Sequence, residues 1–144
     1  MADLKLTPSI ELKIPILPDM ELVATNAVEV VARHIGLSEE KAAEIGMALI
    51  EATINAFEHG TPDSNVFIHF IMQDDSLTVK VIDKGSGFEK SELEIPDIDK
   101  KVLPGGHKRG WGIALIQELV DVVNFDSTTD GTTVTMVKHK TDQP

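Results

Sequence analysis

The sequence contains no cysteine, which removes disulfide frameworks and thiolate chemistry from consideration. It has no apolar run near the roughly 20 residues needed to cross a bilayer. Its opening, MADLKLTPSIELK, lacks the apolar centre of a secretory signal. These absences lead to the expectation of a cytoplasmic protein with no membrane partner. Positive charge is also scarce: 13 Lys and Arg stand against 24 Asp and Glu, a formal net charge of −11. So acidic a chain is poorly suited to direct binding of nucleic acid. There is no internal repeat and no low-complexity tract.

What is present is a globular composition, with 42% apolar residues over 144 positions. Folding a chain of that size buries roughly 70% of its unfolded surface, and a single domain over residues 1–144 is expected. The basic residues are unevenly placed. Residues 84–109 hold six of the 13, namely Lys84, Lys90, Lys100, Lys101, Lys108 and Arg109. That segment is net +1 while the rest of the chain is −12. A local basic region on an acidic protein suits a small anion better than a polyanion.

The pattern SIELKIPI alternates as a strand does, and Pro15 and Pro18 end it or place it at a sheet edge. A helix follows, with Asp19 as its cap, with Met20, Val23, Ala27, Val30, Val31 and His34 recurring at helical spacing, and with Gly36 as its stop. Ser38 caps a second helix that runs to about His59. VFIHFIMQ and LTVKVID read as a hairpin around Asp74 and Asp75, and residues 84–109 as a long loop. GIALIQELVDVV reads as a third helix. VNFDST and GTTVTMVKHK flank the turn signal Thr129-Asp130-Gly131. The order β-α-α-β-β-loop-α-β-β predicts an α+β two-layer sandwich: one mixed, mostly antiparallel sheet with helices on one face.

Three polar islands interrupt this frame. On the second helix Glu44, Glu51, Asn55 and Glu58 form a narrow stripe at about 100° per residue. Ala42, Ile45, Leu49, Ala52 and Ala56 lie to one side of it, and Met47, Ile50, Ile54 and Phe57 to the other. Side-chain oxygens one turn apart can hold a hard cation such as Mg²⁺ together with substrate phosphates, and a carboxylate there can act as a general base. The second island, VIDKGSGF, ends a strand at Asp83 and follows it with Gly85 and Gly87, which permit close approach to the backbone. The third, PGGHKRGWGIALI, runs glycines and the cations Lys108 and Arg109 into a helix start, where free N–H groups bind phosphate. Taken singly, each has an ordinary structural explanation: a solvated helix face, a strand-ending turn, a loop leading into a helix.

In combination and order the islands resemble the GHKL (Bergerat) ATPase superfamily, and within it the anti-sigma-factor serine/threonine kinases of bacteria. EATINAFEHG resembles that family's N box, DKGSGF its first glycine box and RGWGIALI its second. The resemblance runs from about Ile10 to Lys138. It implies ATP and Mg²⁺ as cofactors, with Asn55 as the Mg²⁺ ligand and Glu51 as the base that activates the attacking hydroxyl. Asp83 would accept a hydrogen bond from the adenine amino group. Gly85 and Gly87 would let the chain pass the base, and Thr132 would support the adenine side. Gly110 and Gly112 would cradle phosphates. Residues 88–109 would form an ATP lid, with Lys108 and Arg109 reaching the γ-phosphate.

The implied partners are a STAS-type anti-anti-sigma protein, phosphorylated on Ser or Thr, and a sigma factor that the protein sequesters. A homodimer is implied as well. No helix hairpin with a phospho-accepting His accompanies these motifs, so a complete sensor histidine kinase is not expected. Three alternatives stay open. One is a nucleotide-gated partner-switching protein with little catalysis. Another is a switch kinase acting on a different regulator, and the third a detached histidine-kinase-type domain.

Overall fold

A computed structural model of the chain describes residues 7–60, 64–84 and 108–141. The elements follow as β1 (Ser9–Pro15), α1 (Met20–Ile35), α2 (Glu39–His59), β2 (Asn65–Met72), β3 (Ser76–Asp83), α3 (Lys108–Leu119), β4 (Val122–Thr128) and β5 (Gly131–His139).

The strands form one sheet in the order β1-β2-β3-β5-β4. Every neighbouring pair among the described residues is antiparallel, so the sheet is not mixed. The connections explain this. The β2–β3 and β4–β5 links are tight turns, which reverse the chain. Between β1 and β2 the chain crosses twice, out along α1 and back along α2, and so returns antiparallel. Among the described residues α3 alone lies between β3 and β4 in the chain, and since β5 is antiparallel to both, β3 and β4 are parallel to each other. β5 slots between them as in a split β-α-β unit, and the parallel pair never touches.

Side chains alternate across the strands. Val66, Ile68 and Phe70 of β2, Leu77, Val79 and Val81 of β3, and Val134 and Met136 of β5 are buried on the face that the helices cover. Ala24, Val28 and Val31 of α1, Ile45, Leu49 and Ala52 of α2, and Ile116 of α3 meet them in one cluster. β1 is an edge strand and ends at Pro15, which pairs with Asn65.

Helix boundaries show both agreement and correction. The Ser38 hydroxyl accepts the Lys41 N–H at 3.1 Å, capping α2, while Glu39 and Glu40 complement the dipole of its first turn. Gly36 ends α1 at φ 98°, the left-handed conformation that glycine adopts without strain. Asp19 does not cap α1 through its side chain; it sits at φ 73° and makes no capping hydrogen bond.

The buried stripe of α1 is Ala24, Thr25, Val28, Val31 and Ala32. Val23 and Val30, expected inside, are exposed. On α2, Met47 and Ile54 are exposed too, so one flank of the polar stripe is itself surface. The third helix starts at Lys108, four residues before the expected Gly112, and ends at Leu119. β-branched Val122 and Val123 are drawn into β4, where Val122 pairs with Val137.

Candidate functional site at the end of the sheet

The C-terminal half of α2 leads to the sheet end where β2 begins. Gly60 packs so closely on Ile16 that an added Cβ would lie 2.5 Å from the Ile16 Cδ1. Val66, just beyond, pairs with Asp83, which in turn pairs with Thr132, and Thr132 with Ser127. The row Val66-Asp83-Thr132-Ser127 therefore crosses the sheet on its helix-covered face. Asp83 is 4% exposed and Thr132 3%. The Ser127 and Thr132 hydroxyls are 3.3 Å apart. A cavity of about 290 Å³ opens at the same strand ends but toward the opposite face, where Ile82, Asp126 and Thr133 line it together with Lys84, Asp130 and Gly131, and Asp83 and Thr132 border it.

Gly131 makes this corner possible. It adopts φ 149°, and a Cβ there would run into the Asp83 carbonyl oxygen and lie 2.9 Å from the Lys84 Cα. The close approach lets β5 seat Thr132 opposite Asp83. Lys84 then turns outward, its Nζ 5.4 Å from the centre of the Phe67 ring.

On α2, Glu51 and Asn55 stand one turn apart. The Asn55 Oδ1 is buried and has no hydrogen-bond partner among the described residues, and the same holds for the Thr53 Oγ1 in the same turn. A buried amide oxygen without a donor is costly by itself, about 1–3 kcal/mol, and an oxygen is what a hard cation takes as ligand. The residues present thus fit Mg²⁺, which the Asn55 Oδ1 would hold.

Gly112 of α3 faces Glu51. A Cβ on that glycine would lie 3.0 Å from the Glu51 Oε1. Because α3 begins at Lys108, its free first-turn amides fall at Lys108, Arg109 and Gly110. Gly112 lies beyond them, and the lack of a side chain there leaves room for the Glu51 carboxylate.

The structure brings Glu51, Asn55 and Gly112 together, and it pairs Asp83 with Thr132. Gly85, Gly87 and the lid segment 88–107 lie outside the described residues. Lys108, Arg109 and Gly110 are placed by their backbone in the first turn of α3. Two members of the α2 stripe separate from the site: Glu58 is exposed, and Glu44 is held in an ion pair with Lys138 at 2.7 Å. His59 closes α2 half-buried.

Sequence reasoning missed Thr53, Ser127 and Lys138. Thr53 looks like an ordinary helical threonine, and Lys138 like a surface lysine at a strand end. Only alternation within GTTVTMVKHK puts Lys138 on the inner face. A larger cavity, about 610 Å³, is lined by Ile10, Val30, His34, Met72 and Lys140. It lies at the other end of the strands, roughly 24 Å from Asp83, and holds none of the candidate residues.

A model of the histidine kinase-like ATPase domain matches residues 17–138. The chain belongs to this family. Among curated members it is 30% identical over 137 residues to the serine-protein kinase RsbW of Bacillus pumilus (strain SAFR-032), covering 90% of this chain and 84% of that one. It is 27% identical over 139 residues to the RsbW of Listeria monocytogenes serovar 1/2a (strain ATCC BAA-679 / EGD-e), covering 90% and 86%. Among solved structures, the RsbU and RsbW domains of a Mycobacterium tuberculosis protein superpose with a TM-score of 0.66 at 20% identity. That match covers 92% of this chain and 32% of the longer one, and it confirms the ATPase-type sandwich. Among the described residues, no helix is long and apolar enough to cross a membrane.

Proposed function

We propose that this member of the histidine kinase-like ATPase family is an ATP-dependent serine/threonine protein kinase that also acts as an anti-sigma factor. The observation that carries the reading is the constellation on α2. A carboxylate, Glu51, and a buried amide oxygen without a donor, Asn55 Oδ1, stand one turn apart, and a glycine of α3 is fitted against the carboxylate.

The roles follow from this chemistry. The Asp83 carboxylate accepts from the adenine amino group, with Thr132 beside it, and so selects ATP. Gly85 and Gly87 let the chain pass the base. The amides at the start of α3, with Lys108, Arg109 and Gly110, hold phosphate oxygens, and the segment 88–109 acts as the lid. Mg²⁺, held by Asn55, neutralises phosphate charge when bound. Glu51 takes the proton of an acceptor serine or threonine hydroxyl as its oxygen forms a bond to the γ-phosphorus. The bond to the β–γ bridging oxygen breaks, and ADP leaves with that electron pair. Such transfers depend mainly on positioning and charge neutralisation, which these groups supply.

The acceptor is a STAS-type anti-anti-sigma protein, and the sequestered partner a sigma factor, both in the cytoplasm. The names of the RsbW relatives support the protein-serine substrate. Exposed Ile10, Val23 and Val30 beside the open β1 edge support a homodimer.

The test is intact-mass analysis of STAS proteins from the same genome after incubation with this protein and Mg²⁺-ATP. An acid-stable gain of one phosphate, absent with Glu51→Ala, is expected. ATP binding without any gain on any STAS protein would replace the kinase reading by nucleotide-gated partner exchange.

A further inference from the structure

Lys138 is the least expected buried residue in the chain: a lysine only 6% exposed, on the inner face of β5, a strand with neighbours on both sides. Its Nζ donates to the Leu119 carbonyl oxygen at 2.6 Å and lies 2.7 Å from the Glu44 Oε1. Leu119 is the last residue of α3 and Glu44 belongs to α2. One ammonium group therefore joins the sheet, the C-terminus of α3 and the flank of α2. It satisfies a helix-end carbonyl that has no partner within the helix, and it sits where the helix dipole favours a cation.

Just past α3 the Asp121 N–H donates to the Val137 carbonyl oxygen at 2.9 Å and the Asp121 Oδ2 accepts from the His139 N–H at 2.7 Å, so the chain after the helix is also tied to β5. On the helix itself Ile113 is buried and Ile116 packs on the core, but apolar contact is non-directional and sets the helix angle less sharply than the ammonium group does. Along the axis Gly112 lies about 10 Å from Leu119. A pivot of about 10° at the C-terminus would move Gly112 by about 2 Å against Glu51. A misplacement of about 1 Å can cost on the order of 100-fold in rate when reacting groups must be aligned.

We propose that Lys138 is a positioning residue for phosphoryl transfer: through Glu44 and the Leu119 carbonyl it fixes the angle of α3 over α2, and so the fit of Gly112 against Glu51. The role in transfer rests on the kinase reading above, while the clamp itself is a property of the fold. A buried ion pair contributes little net stability compared with apolar packing of the same volume, which suits a part whose use is geometric.

Two variants test it, Lys138→Met and Glu44→Gln. The second keeps the lysine and its bond to Leu119, and decides the matter if the first does not fold. Trp111, the only tryptophan, lies in α3 and reports its surroundings by fluorescence. In the full chain we expect a shifted Trp111 emission and amide exchange in α3 faster by about tenfold, with the amides of β2 and β3 unchanged. At saturating Mg²⁺-ATP, turnover on the STAS acceptor falls by about tenfold or more, and by more than the KM for ATP rises.

Unchanged emission and exchange in a folded variant overturn the clamp. Exchange that speeds up equally in α3 and the sheet reduces Lys138 to general stability, and a loosened α3 with unchanged turnover removes the positioning role. If the wild-type protein transfers no phosphate to any acceptor, the kinase reading fails, while emission and exchange still decide whether Lys138 sets the helix.

Discussion

Replacing Asn55 by alanine should have opposite effects on stability and on nucleotide binding. The Asn55 Oδ1 is buried without a partner among the described residues. Removing it relieves a desolvation cost of about 1–3 kcal/mol. Alanine also suits a helix interior better than asparagine, by about 0.5 kcal/mol. Against these stands the lost packing of a half-buried stem, about 1 kcal/mol. The ligand-free variant should therefore be more stable than wild type by about 1–2 kcal/mol, a rise of a few degrees in Tm for a chain of this size. Urea unfolding followed by circular dichroism reads the first effect. Calorimetric titration with ATP, with and without Mg²⁺, reads the second, and the Mg²⁺-dependent part of the affinity should vanish. An asparagine kept for structure would behave the other way. A destabilised variant that still binds Mg²⁺-ATP normally would refute the reasoning at both ends.

The remaining predictions concern the two glycines and the aspartate. Gly112→Ala places a methyl 3.0 Å from the Glu51 Oε1; the neighbour is the far end of a flexible side chain, so stability should change by less than about 1 kcal/mol while turnover drops by about tenfold or more. Wild-type turnover in that variant would show that the carboxylate position is not critical. Gly131→Ala meets backbone atoms at a positive φ and should cost about 2–4 kcal/mol, read as a lowered urea midpoint together with weaker ATP binding; a stability loss near zero would mean that the corner relaxes freely. Asp83→Asn reverses one side of the hydrogen-bond pattern offered to adenine, so discrimination between ATP and GTP should fall, and competition binding that keeps the wild-type preference would place adenine recognition elsewhere.

Much of the frame was legible because local chemistry and tertiary need coincide. Ser38 acts through its own hydroxyl, Gly36 and the Asp-Gly turn into β5 act through their own backbone, and the strands alternate cleanly. Where the reading slipped, two solutions were locally equivalent. On α1 the stripe through Val23 and Val30 is as periodic as the one through Ala24, Val28 and Val31, and the fold buries the smaller side chains. Gly110 and Gly112 are poor helix formers, which hid the start of α3 at Lys108. Asp19 has the side chain of a cap but a backbone that precludes the bond.

In the candidate site, the pairing of Glu51 with Asn55 follows from helical periodicity alone. That Glu44 leaves the stripe for Lys138 could not be seen, since it depends on which strand comes to lie beneath α2. The approach of Gly112 to Glu51 likewise joins residues that only the packing of α3 on α2 brings together.

The placing of β5 between β3 and β4 also orders events in time. The strand nearest the end of the described chain is not added at an edge; it fills the gap beside β3 that carries Asp83, and brings Thr132 and Lys138 with it. On the ribosome the three described helices and the other four described strands emerge before the piece that sets Thr132 opposite Asp83 and brings Lys138 to the end of α3. Contacts of such long sequence separation form late, and until they form β3 keeps an open edge. A nascent or C-terminally clipped chain can thus gather most of its core and still be unable to hold a nucleotide, so ligand binding reports completion of the whole molecule rather than of its first half.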